Sequence, residues 1–223
     1  MHGAVRGMAH GLLGRSMATR TTQRAPPRTS GVGALRRAAK RCHACPLWRP
    51  ATQTVFGAGP EDASIMLIGE QAGDREDLEG LPFVGPAGRL LDQALDEIGI
   101  DRETLYVTNV IKHFKFELRG KRRLHKRANA AEIDACLRWL DGELAAVAPR
   151  YVVCLGAMAS RVMLGSGFKL MRERGDWRRL EDGRWCLATV HPSAVLRSRI
   201  AGDYDAAYAG FVADLAKLRR LPK

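Results

Sequence analysis

A chain of 223 residues that is 46% hydrophobic can build one ordinary domain with a terminal extension, so disorder throughout is excluded. Its 36 Lys and Arg against 24 Asp and Glu leave a net charge of +12, which points to a polyanionic partner such as nucleic acid. With no run of about 18 uninterrupted apolar residues, the sequence predicts no transmembrane span and no membrane partner.

Charge is concentrated at the amino end. Residues 1–41 carry nine basic residues and no acid, which leaves the other 182 residues at a net +3. Pro26-Pro27, Ser30-Gly31 and Gly33 add turn chemistry, so residues 1–34 read as a disordered basic tail and 35–223 as the folded domain. A DNA-holding arm, an over-long start and an organellar transit peptide all share that composition. Next comes Cys42-x-x-Cys45, a spacing suited to a metal or cluster. The odd total of five cysteines does not suit a secreted disulfide framework, so a cytoplasmic protein of the bacterial cytosol or nucleoid is expected.

The body alternates strands and helices. Ile65–Ile68 reads as a buried strand ending in Gly69-Glu70-Gln71-Ala72-Gly73-Asp74, where glycines allow close backbone approach and Glu70 and Gln71 bring polar groups to the strand end. A tight turn with solvated polar residues accounts for that segment equally well. Ala87–Ile98 puts Leu90, Leu91, Ala94, Leu95 and Ile98 on one helix face, with Gly99 as a stop. The strand Leu105–Val110 carries Asn109, whose carboxamide suits the edge of a nucleobase, or a turn.

Then comes a basic run, Arg119-Gly-Lys121-Arg122-Arg123-Leu124-His125-Lys126-Arg127. Such a run reads as a solvated loop or as a phosphate contact. The cations around His125 lower its pKa and favour the neutral, nucleophilic ring. Asn129 with Glu132 predicts a capping box. It opens a helix with Ile133, Cys136, Leu137, Leu140, Leu144 and Val147 on its stripe, stopped by Pro149. The strand Tyr151–Leu155, a short helix after Gly156, the strand Trp185–Val190 and a helix over about 203–219 complete the chain. His191-Pro192-Ser193 follows the last strand; His191 there suits a hydrogen bond to a leaving group, or a plain helix cap. Cys136, Cys154 and Cys186 fall on apolar positions, where a core thiol is the simplest reading.

Strand–helix alternation predicts a three-layer α/β/α domain with a central, mostly parallel four-stranded sheet. In such sheets ligands bind at the carboxyl ends of the strands, where the unusual residues cluster.

Taken together these residues resemble the uracil-DNA glycosylase superfamily, from about Arg41 to Arg199 and in the last helix. The iron–sulfur branch shows Cys-x-x-Cys, then Val55-Phe56-Gly57, Gly69 to Gly73, Pro82 to Gly85, Thr108 to Lys112 and His191 to Ser193, in this order. The UdgX type is more similar still, through Glu70-Gln71, Lys112-His113-Phe114-Lys115 and Lys121-Arg122-Arg123-Leu124-His125; Ala72 departs from its usual proline. The resemblance implies a [4Fe–4S] cluster on Cys42, Cys45 and Cys136, with His113 or Cys154 as the fourth ligand. It implies that Phe83 stacks on a flipped uracil, that Asn109 reads its edge beside Gly69 and Ser193, and that His191 steadies the departing anion. Glu70 faces the sugar, Gln71 helps position the nucleophile, and Lys121, Arg122, Arg123 and Lys126 hold phosphates. The loop histidine, His125, attacks the sugar and stays bonded to it.

The expectation is therefore a monomeric, self-trapping enzyme acting on uracil-containing DNA, with single strands preferred. The alternatives are a conventional glycosylase that uses water and turns over many times, and a non-enzymatic iron–sulfur protein that binds nucleic acid.

Overall fold

The computed structural model describes residues 31–223. The expected tail therefore lies outside the described residues apart from 31–34, which open a first helix, α1 (Val32–Ala39). Five strands form the main sheet: β1 (Ile65–Gln71), β2 (Tyr106–Ile111), β5 (Tyr151–Leu155), β6 (Arg178–Arg179) and β7 (Trp185–Thr189). Their order is β2-β1-β5-β7-β6. Four are parallel, as expected, and β6 adds a two-residue antiparallel edge that the sequence did not announce.

Helices cover both faces, so the strands are apolar on both sides. Met66 and Ile68 of β1 point into a core shared with α1, α4 (Ala130–Val147) and α5 (Ala157–Leu164). Ile65 and Leu67 point into another, built with α3 (Pro86–Glu97), α7 (Pro192–Ala201) and α8 (Tyr204–Leu215). The α4 capping box is present: Glu132 N–H donates to Asn129 Oδ1 at 2.9 Å, and Asn129 N–H to Glu132 Oε2 at 2.7 Å.

The basic run is not a loop. It forms a separate hairpin, β3 (Phe116–Arg119) and β4 (Arg122–His125), turned at Gly120 with φ 61°. Two short helices complete the frame, α2 (Asp74–Glu79) after β1 and α6 (Leu170–Glu173) before β6. Among the described residues, no helix is long and apolar enough to cross a membrane.

Candidate active site

Gly69 of β1 lies in register with Asn109 of β2. A methyl group on Gly69 would lie 2.2 Å from Asn109 Oδ1 and 2.5 Å from the Phe83 ring. The bare glycine is what lets that amide and that ring meet over the strand end. Phe83 holds φ at 58°, a left-handed conformation uncommon for a bulky residue. Two features over-determine it. A methyl on Gly88 of α3 would fall 1.7 Å from the Phe83 carbonyl oxygen, so the helix sits directly on this backbone. The buried Glu76 carboxylate accepts from Gly73 N–H at 3.1 Å and Gly85 N–H at 2.9 Å, clasping both ends of the Phe83 loop. Phe83, Asn109 and His191 line a cavity of about 270 Å³.

His191 caps α7. Its Nδ1 accepts from Ser193 N–H at 3.1 Å and lies 2.8 Å from Ser193 Oγ, which itself accepts from Arg197 Nη1 at 3.1 Å. A backbone N–H has no other role, so Nδ1 is the acceptor and the neutral ring carries its proton on Nε2. The His191 pKa is pushed down to about 4, chiefly by burial, with Glu70 opposing and Arg197 and His125 adding to the fall. Near neutral pH the ring is therefore an uncharged donor.

A second cavity of about 600 Å³ shares Gln71, His191 and Ser193 with the first. Glu70 and His125 line it together, with Arg127 and Arg197. Glu70 Oε1 accepts from Met158 N–H at the start of α5, at 2.8 Å. The preceding Gly156 sits at φ 99°, where a methyl would meet that oxygen at 2.5 Å. His125 is an exposed residue at the end of β4; its partly covered ring has a lowered pKa, first through desolvation, with Glu70 opposing and Arg197 and Arg127 adding. Of the cations in the basic run, Arg127 acts on this imidazole as expected, and Arg197 of α7 joins it from outside the run.

Two side chains fix the hairpin that carries His125. Gln71 reaches out from β1, its Nε2 donating to Lys126 O at 3.4 Å and its Oε1 accepting from Ala128 N–H at 3.2 Å. Arg123, expected on a phosphate, is instead committed to the fold. It pairs with Asp74 at 2.6 Å and with fully buried Asp77 at 2.7 Å, and its guanidinium lies over Phe114 and Phe116. Lys126 pairs with Glu117 at the surface, at 2.9 Å. Lys121 and Arg122 are exposed at the turn end.

Behind Asn109 lies a fully buried ion pair. Lys112 Nζ donates to Glu143 Oε2, to Thr108 Oγ1 at 2.6 Å and to the Asn109 carbonyl at 2.7 Å. Glu143 also accepts from Gly57 N–H, Tyr106 OH and Thr108 OH. Sequence reading missed Glu143, Glu76 and Arg197, and named Arg127 only as part of the basic run. The interruption of the apolar α4 stripe by an acid was the one available signal for Glu143.

The thiols fall into two groups. Cys42 and Cys45, on the segment after α1, both act electrostatically on Cys136 of α4, and Cys42 on Cys45. Cys42 Sγ accepts from Trp139 Nε1–H at 3.1 Å, and Cys136 Sγ from Lys112 N–H at 3.3 Å. Burial pushes the Cys136 thiol up to about 12 and raises Cys45. Cys154 is elsewhere, 3.6 Å from Cys186 in the core between β5 and β7. His113 is buried, and burial lowers its pKa. Thr54 Oγ1 donates its one proton to Ala39 O at 3.0 Å, so it accepts from His113 Nε2–H at 3.0 Å. That tautomer leaves Nδ1 with an unshared pair. Among the described residues, no three of the His, Cys, Asp and Glu side chains already form a metal-holding group.

Residues 56–216 match the family model described as Uracil DNA glycosylase superfamily. A Type-4 uracil-DNA glycosylase of Archaeoglobus fulgidus is 34% identical over 174 residues, which is 74% of this chain and 83% of the relative. One from Thermotoga maritima is 36% identical over 164 residues, 72% of this chain and 80% of the relative. One from Sulfurisphaera tokodaii is 34% identical over 163 residues, 70% of this chain and 71% of the relative.

Proposed function

The chain belongs to the uracil DNA glycosylase superfamily, and from that premise we propose that it excises uracil from DNA and then captures the resulting deoxyribose on His125. The observation that carries the second half is the cavity that His125 shares with Glu70 and His191, which adjoins the cavity of Phe83 and Asn109 along Gln71, His191 and Ser193. A base in the Phe83 cavity would leave its sugar at that junction. This supports the UdgX-type reading within the family.

The chemistry follows from the tautomers. A flipped uracil stacks on Phe83 and offers its imide edge to Asn109. As the C1′–N1 bond breaks, its electron pair leaves with uracil, and His191 Nε2–H donates to the anion as it forms. A neutral donor suits this role, because a charged imidazolium is excluded by the same burial that lowers its pKa. The sugar becomes cationic at C1′. The lone pair of the neutral His125 ring forms the new bond to that carbon, and the ring then gives up its N–H proton, for which Glu70 is the neighbouring base. The product is a C1′–N bond to an imidazole, which lacks the easy departure of a glycosyl ester.

Cys42, Cys45 and Cys136, with His113 as the fourth ligand, would hold the iron–sulfur cluster. Soft thiolates with N–H···S partners suit iron, and the unshared Nδ1 pair of His113 suits the remaining position. When bound, the cluster would tie the segment after α1 to α4, and the hydrolytic chemistry needs no electron from it.

A labelled single-stranded oligonucleotide with one uracil, run on a denaturing gel, tests the reading. The expected result is one equivalent of uracil released and a protein–DNA band that survives heat and detergent, lost in His125→Ala. Uracil release over many turnovers without a band would instead support the conventional enzyme that the Type-4 relatives suggest. Tight binding with no release would support the non-enzymatic alternative.

A further inference from the structure

Each thiol of the proposed cluster site has an N–H aimed at its sulfur: Trp139 Nε1–H at Cys42, the Leu47 backbone N–H at Cys45 and the Lys112 backbone N–H at Cys136. The proposed fourth ligand is held differently. His113 follows β2 and is buried, and among the described residues its ring hydrogen-bonds with one group, the Thr54 hydroxyl, 3.0 Å from Nε2. Thr54 is not one of the ligands, so the ligand set leaves it without a role.

The backbone fixes where that hydroxyl stands. Val55 N–H donates to Lys112 O at 2.7 Å, which sets Thr54 beside the residue after Lys112. The hydroxyl also lies 3.0 Å from the carbonyl oxygen of Ala39, the last residue of α1. The same carbonyl accepts from Cys42 N–H at 2.9 Å. A carbonyl can only accept, so the single hydroxyl proton goes to Ala39 and a lone pair faces His113. A chain of hydrogen bonds therefore runs from Cys42 N–H through Ala39 O and Thr54 Oγ1 to His113 Nε2. It joins two of the proposed ligands, one on the segment after α1 and one at the end of β2.

We propose that Thr54 is the positioning residue for the imidazole ligand: its hydroxyl, oriented by the Ala39 carbonyl, holds His113 in the tautomer whose Nδ1 is free for iron. The proposal rests on the ligand reading above and adds to it a residue outside the ligand set. A hydroxyl committed as acceptor keeps the proton on Nε2, and the bond donated from Nε2 makes Nδ1 the stronger electron donor. Such a role depends on the residue at 113 being an imidazole. A hydroxyl that only supported the fold would matter equally with any ligand there.

The test uses the full chain loaded with iron and sulfide without air. It reads the rate of iron loss to a chelator, and the nitrogen coupling that a coordinated imidazole gives in pulsed electron paramagnetic resonance of the reduced centre. Wild-type protein should show the coupling and His113→Ala should lack it. Thr54→Val keeps the side-chain shape but can neither donate nor accept; it should lose iron about 10–100-fold faster and alter the coupling. Thr54→Ser, which keeps the hydroxyl, should restore both readings. In a His113→Cys background, where a thiolate replaces the imidazole, Thr54→Val should change iron loss by less than about twofold. Iron loss from Thr54→Val at the wild-type rate, an unaltered coupling, or equal acceleration in both backgrounds overturns the proposal. A wild-type centre with no nitrogen coupling overturns the imidazole-ligand reading beneath it, and wild-type protein that takes up no iron overturns the cluster reading itself.

Discussion

The protonation state of His191 can be read from one backbone hydrogen bond, and it can be perturbed there. Ser193 N–H donates to Nδ1, so protonating that nitrogen would set two N–H groups against each other, beside the Arg197 guanidinium and away from water. The fall from 6.5 to about 4 corresponds to roughly 3 kcal/mol at 1.36 kcal/mol per unit. At pH 6, a ring with that depressed pKa is about 1% protonated, against about 75% for an unperturbed histidine. Uracil release should therefore stay flat from pH 7 to pH 5 with respect to this group and fall only as pH approaches 4. The stability consequence has the same direction. With the folded pKa below the unfolded one, the unfolded chain takes up the proton first. The contribution is complete above about pH 6.5 and is lost progressively as pH falls towards 4.

Two variants separate the causes. Ser193→Ala keeps the backbone donor and should leave the titration near its wild-type position. Ser193→Pro removes the N–H at a helix position where proline is tolerated. It should raise the His191 pKa by about one unit, the value of one hydrogen bond. Nitrogen-15 NMR of the imidazole gives both readings, the tautomer from its two nitrogen shifts and the pKa from their titration. A ring that carries its proton on Nδ1, or that titrates near 6.5 in wild-type protein, would refute the reasoning.

Gly69→Ala places a methyl group 2.2 Å from Asn109 Oδ1. It should abolish uracil release while the circular dichroism spectrum stays native, because the collision is confined to the base cavity. Glu143→Gln leaves the Lys112 ammonium buried without its counter-ion and should cost about 3–5 kcal/mol in denaturant unfolding. Adding Lys112→Met to it should restore part of that loss, the mark of direct coupling in a double-mutant cycle. Arg123→Met strands the fully buried Asp77 carboxylate and frees the hairpin. Thermal unfolding should come several degrees earlier, and the heat-stable DNA band should weaken more than uracil release does.

Where one face or both faces of an element are apolar, the sequence was enough to find it. Tyr151–Leu155 is buried at every position and is a strand within its expected limits. The Asn129 and Glu132 cap is local, so three residues specify it. The helix α7 escaped because it buries only Pro192 and Val195 and has no stripe to read. The hairpin escaped because its cations mask the alternation of Phe116, Leu118 and Leu124, and because Arg123 is paid for by two acids 46 and 49 residues away. The site divides in the same way. Glu70, Asn109 and His191 stand at strand ends, where topology alone brings them together. Glu143 serves Gly57 across 86 residues, a relation that neither spacing nor periodicity carries.

Two imidazoles share one cavity, and what occupies their nitrogens divides the proposed labour. His191 has Nδ1 held by the backbone and so can only donate from Nε2. The His125 ring makes no hydrogen bond among the described residues; Phe114 lies against it at 5.9 Å between ring centroids. Its lone pair is uncommitted, and partial desolvation, with Arg197 and Arg127 beside it, lowers the pKa of this otherwise exposed ring. Exchanging the two roles would require a donor at His125 and the loss of one at His191. The hairpin, held by Gln71 and Arg123 and not by its histidine, leaves that nitrogen free to react.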